Sequence, residues 1–248
     1  YPATGSTGDG YRFAESVGHV VIPVRPALIP LITEETTTAL SGLGLRNVNV
    51  RMILNGKKKR EAFGEVAFMN YGIGGPVILT ISGDVVDALR ADVKVDLSID
   101  LKPALSEAQL DARLLRDFTK RGGENIESVL RGLLPRELVR YYMKHSGLGF
   151  GIKAGSIKVN ERKRFLEWLK DFRLHIVGHR PIAEAIITAG GVDTDEIVPN
   201  TMESRLVHGL YFAGEVLNIH ADTGGYNLQA AFSTGWLAGV SAAGGNEE

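Results

Sequence analysis

Cysteine is absent from the 248 residues, which excludes a disulfide scaffold, a thiolate zinc site, an iron–sulfur cluster and a cysteine nucleophile. There is no excess of charge of either sign. With 28 basic against 29 acidic side chains, no global field exists to hold a polyanion or an anionic membrane surface, so a nucleic-acid contact would need a local patch. Aromatic residues make up only 7%, too few for an evident base-stacking platform. No apolar run approaches the roughly 20 residues that span a bilayer, and the first residues lack the basic and apolar regions of a signal peptide. A cytoplasmic protein with no membrane partner is the expectation. HExxH, Walker A and GxSxG motifs are also missing, which removes the main support for metal-, nucleotide- and serine-hydrolase readings.

What is present is a globular composition, 44% hydrophobic and 23% charged, on a chain long enough for one large domain or two small ones. Glycine is the deviation: 30 of 248 residues, against an average usage of about 7%, and concentrated towards the two ends. The chain opens in a turn-forming string. A short helix is expected over 9–17, ended by Gly18, then a strand over 19–24. Period-two runs over 45–54 and 61–69, joined by Asn55-Gly56, predict a hairpin. A helix over 77–89 and a strand over 91–101, alternating Val93, Val95, Leu97 and Ile99, come next. Ser106 with Gln109 has the pattern of a capping box, and it opens a helical array with further helices near 126–133, 135–144 and 160–172. Strand and glycine turn then return, in RLHIVGHRPIAEAIITAGGV and GLYFAGEV, before a last helix over 226–240. The likeness in character of the two ends points to a domain interrupted by an insertion.

Three elements could carry chemistry. The run LYFAGEV reads as a strand that delivers Gly214 and Glu215 to a sheet edge, where glycine admits a ligand to the backbone and the carboxylate can accept from ligand hydroxyls. A buried strand ending in a solvated glutamate is the competing reading. Gly224 and Gly225 open directly into an apolar helix, whose free amides around Tyr226, Asn227, Leu228 and Gln229 could hold an anion or an electron-rich carbonyl; an ordinary turn and cap is the alternative. In Thr7-Gly8-Asp9-Gly10, Asp9 could cap the following helix or face a ligand hydroxyl.

Together with FGEVAFMNYGIGGPVIL and TAGGV at 188–192, these strings span nearly the whole chain, and in this order they resemble the FAD-dependent flavoproteins of the aminoacetone oxidase and bile-acid dehydro-reductase type. More distantly, the ends look like the fumarate reductase and aspartate oxidase group. The resemblance implies a mixed α/β and α+β fold: a partial Rossmann-like FAD-binding domain, residues 1–31 and 181–248, interrupted by an insert over 32–180. That insert would comprise a β-rich, barrel-like piece (32–104), a helical array (105–171) and a returning strand (172–180). It further implies FAD contacts at Thr7, Gly8, Asp9, Gly214, Glu215, Gly224, Gly225, Tyr226, Asn227 and Leu228. Hydride transfer between a small organic substrate and the flavin would be the chemistry, with oxygen or a nicotinamide, NAD(P)H as electron donor, closing the cycle. The strand and GxGxxG turn with which such proteins begin are not in this chain, so a fragment, inactive by itself and poor at retaining FAD, is expected.

No catalytic acid or base stands out; Tyr1, Tyr226 and His220 merely flank the glycine loops. His175 and His179 share a face of a strand, but with no third ligand evident they are not read as metal ligands. The rival to an oxidoreductase is a non-catalytic module that binds RNA or a protein through basic runs at Lys57–Arg60, Lys120-Arg121 and Arg162–Arg164. Exposed strand edges near the start would also favour a homodimer.

Overall fold

The structure, a computed structural model, describes residues 5–244 and divides into two units. One comprises Leu31–Val77 and Ala91–Gly178; the other comprises the described residues up to Pro30, Ile78–Arg90, and those from His179 onward.

The first unit is built on a closed six-stranded barrel of β2 (Leu31–Thr33), β3 (Gly44–Leu54), β4 (Lys57–Met69), β5 (Gly72–Gly74), β6 (Val95–Asp100) and β7 (Phe172–His179), in the order β2-β5-β4-β3-β6-β7. Asn55 and Gly56 both have positive φ, 47° and 78°, which is what a two-residue hairpin turn between β3 and β4 requires. Register is set by the alternation of side chains. Val50 pairs with Ile99 and Met52 with Leu97, and all four are buried. Residues Asp96, Ser98 and Asp100 take the opposite face of β6, where Asp100 meets Lys170 Nζ at 2.5 Å.

Packed with this barrel in the same unit are α3 (Glu107–Lys120), α4 (Ile126–Leu130), α5 (Arg136–His145) and α6 (Val159–Lys170). The capping box holds: the Gln109 amide donates to Ser106 Oγ at 3.3 Å, and the Ser106 amide to Gln109 Oε1 at 2.9 Å. Leu110, Leu114 and Phe118 make the buried stripe of α3; Leu138, Val139, Tyr142 and Met143 make that of α5. Tyr142 packs between Phe165 and Trp168, with ring centroids 4.6 Å and 4.9 Å away.

In the second unit, α1 (Asp9–Ser16) begins after Gly8, whose left-handed φ of 78° suits glycine, and ends in a Schellman motif. Gly18 N–H donates to the Glu15 carbonyl and His19 N–H to that of Ala14, both at 3.0 Å. Strands β1 (Val21–Ala27) and β8 (Ile187–Val192) form a two-stranded antiparallel ladder from Val21↔Val192 to Ala27↔Ile187. Helix α2 (Pro76–Arg90) contributes Ile78–Arg90 to this unit, so those residues cluster with the terminal segments rather than with the barrel strands on either side in sequence. Its Asp87 pairs with Arg25 of β1, Nη2 to Oδ2 at 2.7 Å, and its Ser82 Oγ accepts from the Ile29 amide at 3.0 Å. The last helix, α7 (Tyr226–Ala242), follows Gly225 at φ 87°.

LYFAGEV does not form the expected strand. Tyr211 makes one bridge to Glu203, the Phe212 amide donates to the Met202 carbonyl at 3.0 Å, and Gly214–Val216 is a 3-10 turn. The positive φ of Gly214, 74°, breaks the extended run at the point where a strand would have continued. Parallel pairing among the described residues of this unit is a single bridge, Val192 to Leu217.

Candidate functional site

The 3-10 turn at Gly214–Val216, the start of β8 and the start of α7 surround a cavity of about 340 Å³ in the second unit. Of the residues expected from sequence, Gly214, Glu215, Gly224, Gly225, Asn227 and Leu228 line it together; Leu28, Ile186 and Ile187 supply an apolar wall.

Each polar group is held in place by the local fold. Glu215 Oε1 accepts from Thr188 twice, from the amide at 2.7 Å and from the hydroxyl at 2.6 Å, which ties the carboxylate to β8. Tyr11 Oη, from α1, donates to the Glu215 carbonyl at 3.3 Å. Thr234 Oγ1 accepts from the Gly214 amide at 2.9 Å while donating to the Ala230 carbonyl at 2.7 Å, so the turn is fastened to α7. The first intrahelical bond of α7 runs from the Gln229 amide to the Gly225 carbonyl, and no side chain caps the helix. The amides of Tyr226, Asn227 and Leu228 therefore stand at the positive end of a 17-residue helix dipole.

Asn227 plays a part that its position alone did not disclose. Its Oδ1 accepts from the Ala221 amide at 2.8 Å and its Nδ2 donates to the Ala221 carbonyl at 2.9 Å, so the side chain clamps the loop ahead of the glycines. The Tyr226 ring is exposed and covers Gly224 rather than lining the cavity, and His220 is exposed as well. Tyr1 lies outside the described residues.

Thr7, Gly8 and Asp9 are not among the residues that line the cavity. Thr7 Oγ1 donates to Asp9 Oδ2 at 2.6 Å, Arg12 pairs with the Asp9 carboxylate, and Arg12 Nη1 donates to the Thr7 carbonyl at 3.0 Å, which closes the loop on itself. Asp9 is the first residue of α1 rather than its cap. Thr188, Tyr11 and Thr234 were not singled out as site residues because each acts through a contact far away in sequence; only the TAGGV string gave a sign of the first.

His175 is also differently placed from expectation, since two carboxylates do stand beside it: Glu35 Oε1 at 2.5 Å from Nδ1 and Asp96 Oδ1 at 3.6 Å from Nε2. Both come from other strands or loops, more than 70 residues away in the case of Asp96, where spacing gives no signal. No group of three or more His, Asp or Glu suited to a metal ion occurs among the described residues. In the hairpin, Lys58 is paired with Glu61 at 2.5 Å, so its basic run is partly neutralised. No described helix is long and apolar enough to cross a membrane.

A family described as HI0933-like protein barrel and H2TH domain matches residues 25–187, the stretch that contains the six-stranded barrel and the helical array. The chain belongs to this HI0933-like family. Among curated relatives of this HI0933-like chain is a 3-dehydro-bile acid delta(4,6)-reductase from Clostridium scindens, 31% identical over 96% of the chain and 58% of the relative. Ribosomal RNA dihydrouridine synthases from Haemophilus influenzae and Escherichia coli are 30% and 29% identical, over 97% and 95% of the chain and 57% and 56% of their own lengths. The chain thus spans less than two thirds of these relatives.

Proposed function

We propose that the chain is the greater part of an FAD-dependent oxidoreductase, and that the cavity at Glu215 takes the flavin ring. The observation that carries the reading is the convergence on one apolar cavity of a carboxylate fixed by Thr188 and the uncapped amides of α7. At about 340 Å³ the cavity sits at the small end of ligand sites, a size that suits one ring system rather than a whole dinucleotide. The left-handed glycines Gly214, Gly224 and Gly225 give the backbone the closeness that a flat ring requires. The reading is further supported by a relative named as a reductase.

In this reading Glu215 accepts from ribityl hydroxyls, and the amides of Tyr226, Asn227 and Leu228 stabilise the electron-rich pyrimidine edge. Leu28, Ile186 and Ile187 supply the apolar contact for the ring. When bound, the flavin supplies two-electron redox chemistry, here between a small organic substrate and NAD(P)H. In this reading the second unit is part of a Rossmann-like domain, to be completed by a further segment. Exposed Phe232 and Trp236, one turn apart on α7, are where such a segment would pack.

The test is the visible spectrum of the protein produced from its whole reading frame, with wild type beside Glu215→Ala. A yellow wild type and a bleached variant support the reading. A colourless wild type that takes up no added FAD ends it.

A further inference from the structure

The barrel–helix unit contains a second cavity, of about 290 Å³, at the base of the helical array. Its lining combines buried aliphatic residues, Leu45, Leu101, Leu134 and Leu138, with two cations, Arg46 and Lys102, and, among the described residues, no carboxylate. Lys102 is half-buried between β6 and α3. The nearest carboxylate in sequence, Asp100, is already engaged: Lys170 Nζ meets it at 2.5 Å, and the Lys102 amide donates to Oδ1 at 2.8 Å. Among the described residues no hydrogen bond or ion pair reaches the Lys102 ammonium; Lys102 contributes only its amide and its carbonyl, the latter accepting from Lys170 Nζ at 3.2 Å. Burial, and after it the positive charge of Arg113, holds the Lys102 amine below its ordinary range. Arg46 is highly exposed and only loosely paired, 3.7 Å from Glu65. A half-buried cation without an anion is costly, and a ligand that brings the missing charge removes that cost.

We propose that this cavity binds a small amphipathic carboxylate, its aliphatic body among Leu45, Leu101, Leu134 and Leu138 and its anionic group on Lys102 and Arg46. The aliphatic lining is what selects the class. Among the described residues no aromatic side chain and no polar side chain other than the two cations lines the cavity, so these offer a nucleobase neither a stacking face nor side-chain hydrogen bonds. An inorganic anion would leave the aliphatic wall unused. The proposal is independent of the flavin reading, because every group in it belongs to the barrel–helix unit.

The test uses the intact chain with decanoate as probe, and decanol, inorganic phosphate and a short oligouridylate as comparisons. Lys102 is acylated by an amine-reactive ester at mildly alkaline pH, and its labelling rate is read by peptide mass spectrometry. With decanoate at ten times its dissociation constant, labelling of Lys102 is expected to slow about 10-fold, while exposed lysines such as Lys120 are unaffected. Decanol and phosphate are expected to protect little. Binding of decanoate, measured by calorimetry, is expected to fall at least 10-fold in Lys102→Met and to weaken in Arg46→Met, a highly exposed position whose replacement is expected to leave the fold intact. Equal protection by decanol, protection by phosphate alone, stronger protection by oligouridylate, no protection at all, or full binding in both variants would each overturn the proposal.

Discussion

Glu215 and Thr188 meet through two hydrogen bonds to a single carboxylate oxygen, one from the amide and one from the hydroxyl, across 27 residues of sequence. The glutamate is therefore oriented by β8 and not by its own turn. Hydrogen bonds to a charged group are worth about 1.5–3 kcal/mol, so loosening this contact should be felt in any ligand that Glu215 holds. Thr188→Val removes the hydroxyl donor and keeps the amide. A loss of about tenfold in FAD affinity is expected for it, and about a hundredfold for Glu215→Ala, read by flavin fluorescence on titration of the whole protein. Unchanged affinity in both would remove Glu215 from the flavin site.

Gly191 sits in β8 at φ 122°, where a Cβ would lie 2.5 Å from the Val216 carbonyl oxygen. Neither backbone can give way without disturbing the Val192–Leu217 bridge. Gly191→Ala should cost about 3 kcal/mol or more, measured by urea denaturation, while Gly123→Ala, with open space around it, should cost far less.

His19 is fully buried at its side chain, with Nδ1 2.8 Å from Glu196 Oε2 and Nε2 2.7 Å from Ser204 Oγ. Ser204 Oγ also accepts the amides of Leu206 and Val207, at 3.0 Å and 2.9 Å, which leaves its proton for Nε2 and puts the imidazole proton on Nδ1. The hydroxyl is enclosed, so this Ser–His–Glu chain fastens the second unit and does not perform nucleophilic chemistry. His19→Ala should destabilise that unit by about 3 kcal/mol through the partners it strands, and amide exchange should rise around Glu196 and Ser204.

Burial pushes the Tyr142 phenol up to about 12, with Arg164 opposing and Glu161 adding to the shift. Tyrosine in the unfolded chain ionises near pH 10. Between those values the unfolded chain has lost a proton that the folded chain still holds, so stability falls as pH rises through that window. Denaturation midpoints taken from about pH 9 to 12 should decline for wild type and less steeply for Tyr142→Phe. Parallel slopes would show that other groups govern the alkaline limit.

Ser106→Ala should remove about 1 kcal/mol, since the capping box closes the first turn of α3 from both directions. Ser106→Asp should recover most of it, a comparison that thermal unfolding can make directly.

Local rules made much of this protein legible from its sequence. Asn55-Gly56 fixed the hairpin, Ser106 and Gln109 fixed the start of α3, and alternation at Val95, Leu97 and Ile99 fixed which face of β6 turns inward, because turns, caps and side-chain period depend on residues a few positions apart. Gly214, Glu215, Gly224, Gly225, Asn227 and Leu228, which the family resemblance brought together, line one cavity. Tertiary structure decided the rest. That LYFAGEV bends into a turn depends on whether a partner strand lies beside it. That Thr7 to Asp9 close on Arg12, that Thr188 holds Glu215, and that Glu35 and Asp96 stand beside His175 are matters of contact between distant segments. A hydrogen bond acts over about 3 Å of space and carries no trace of its length along the chain, so such partners are settled only when the chain has folded.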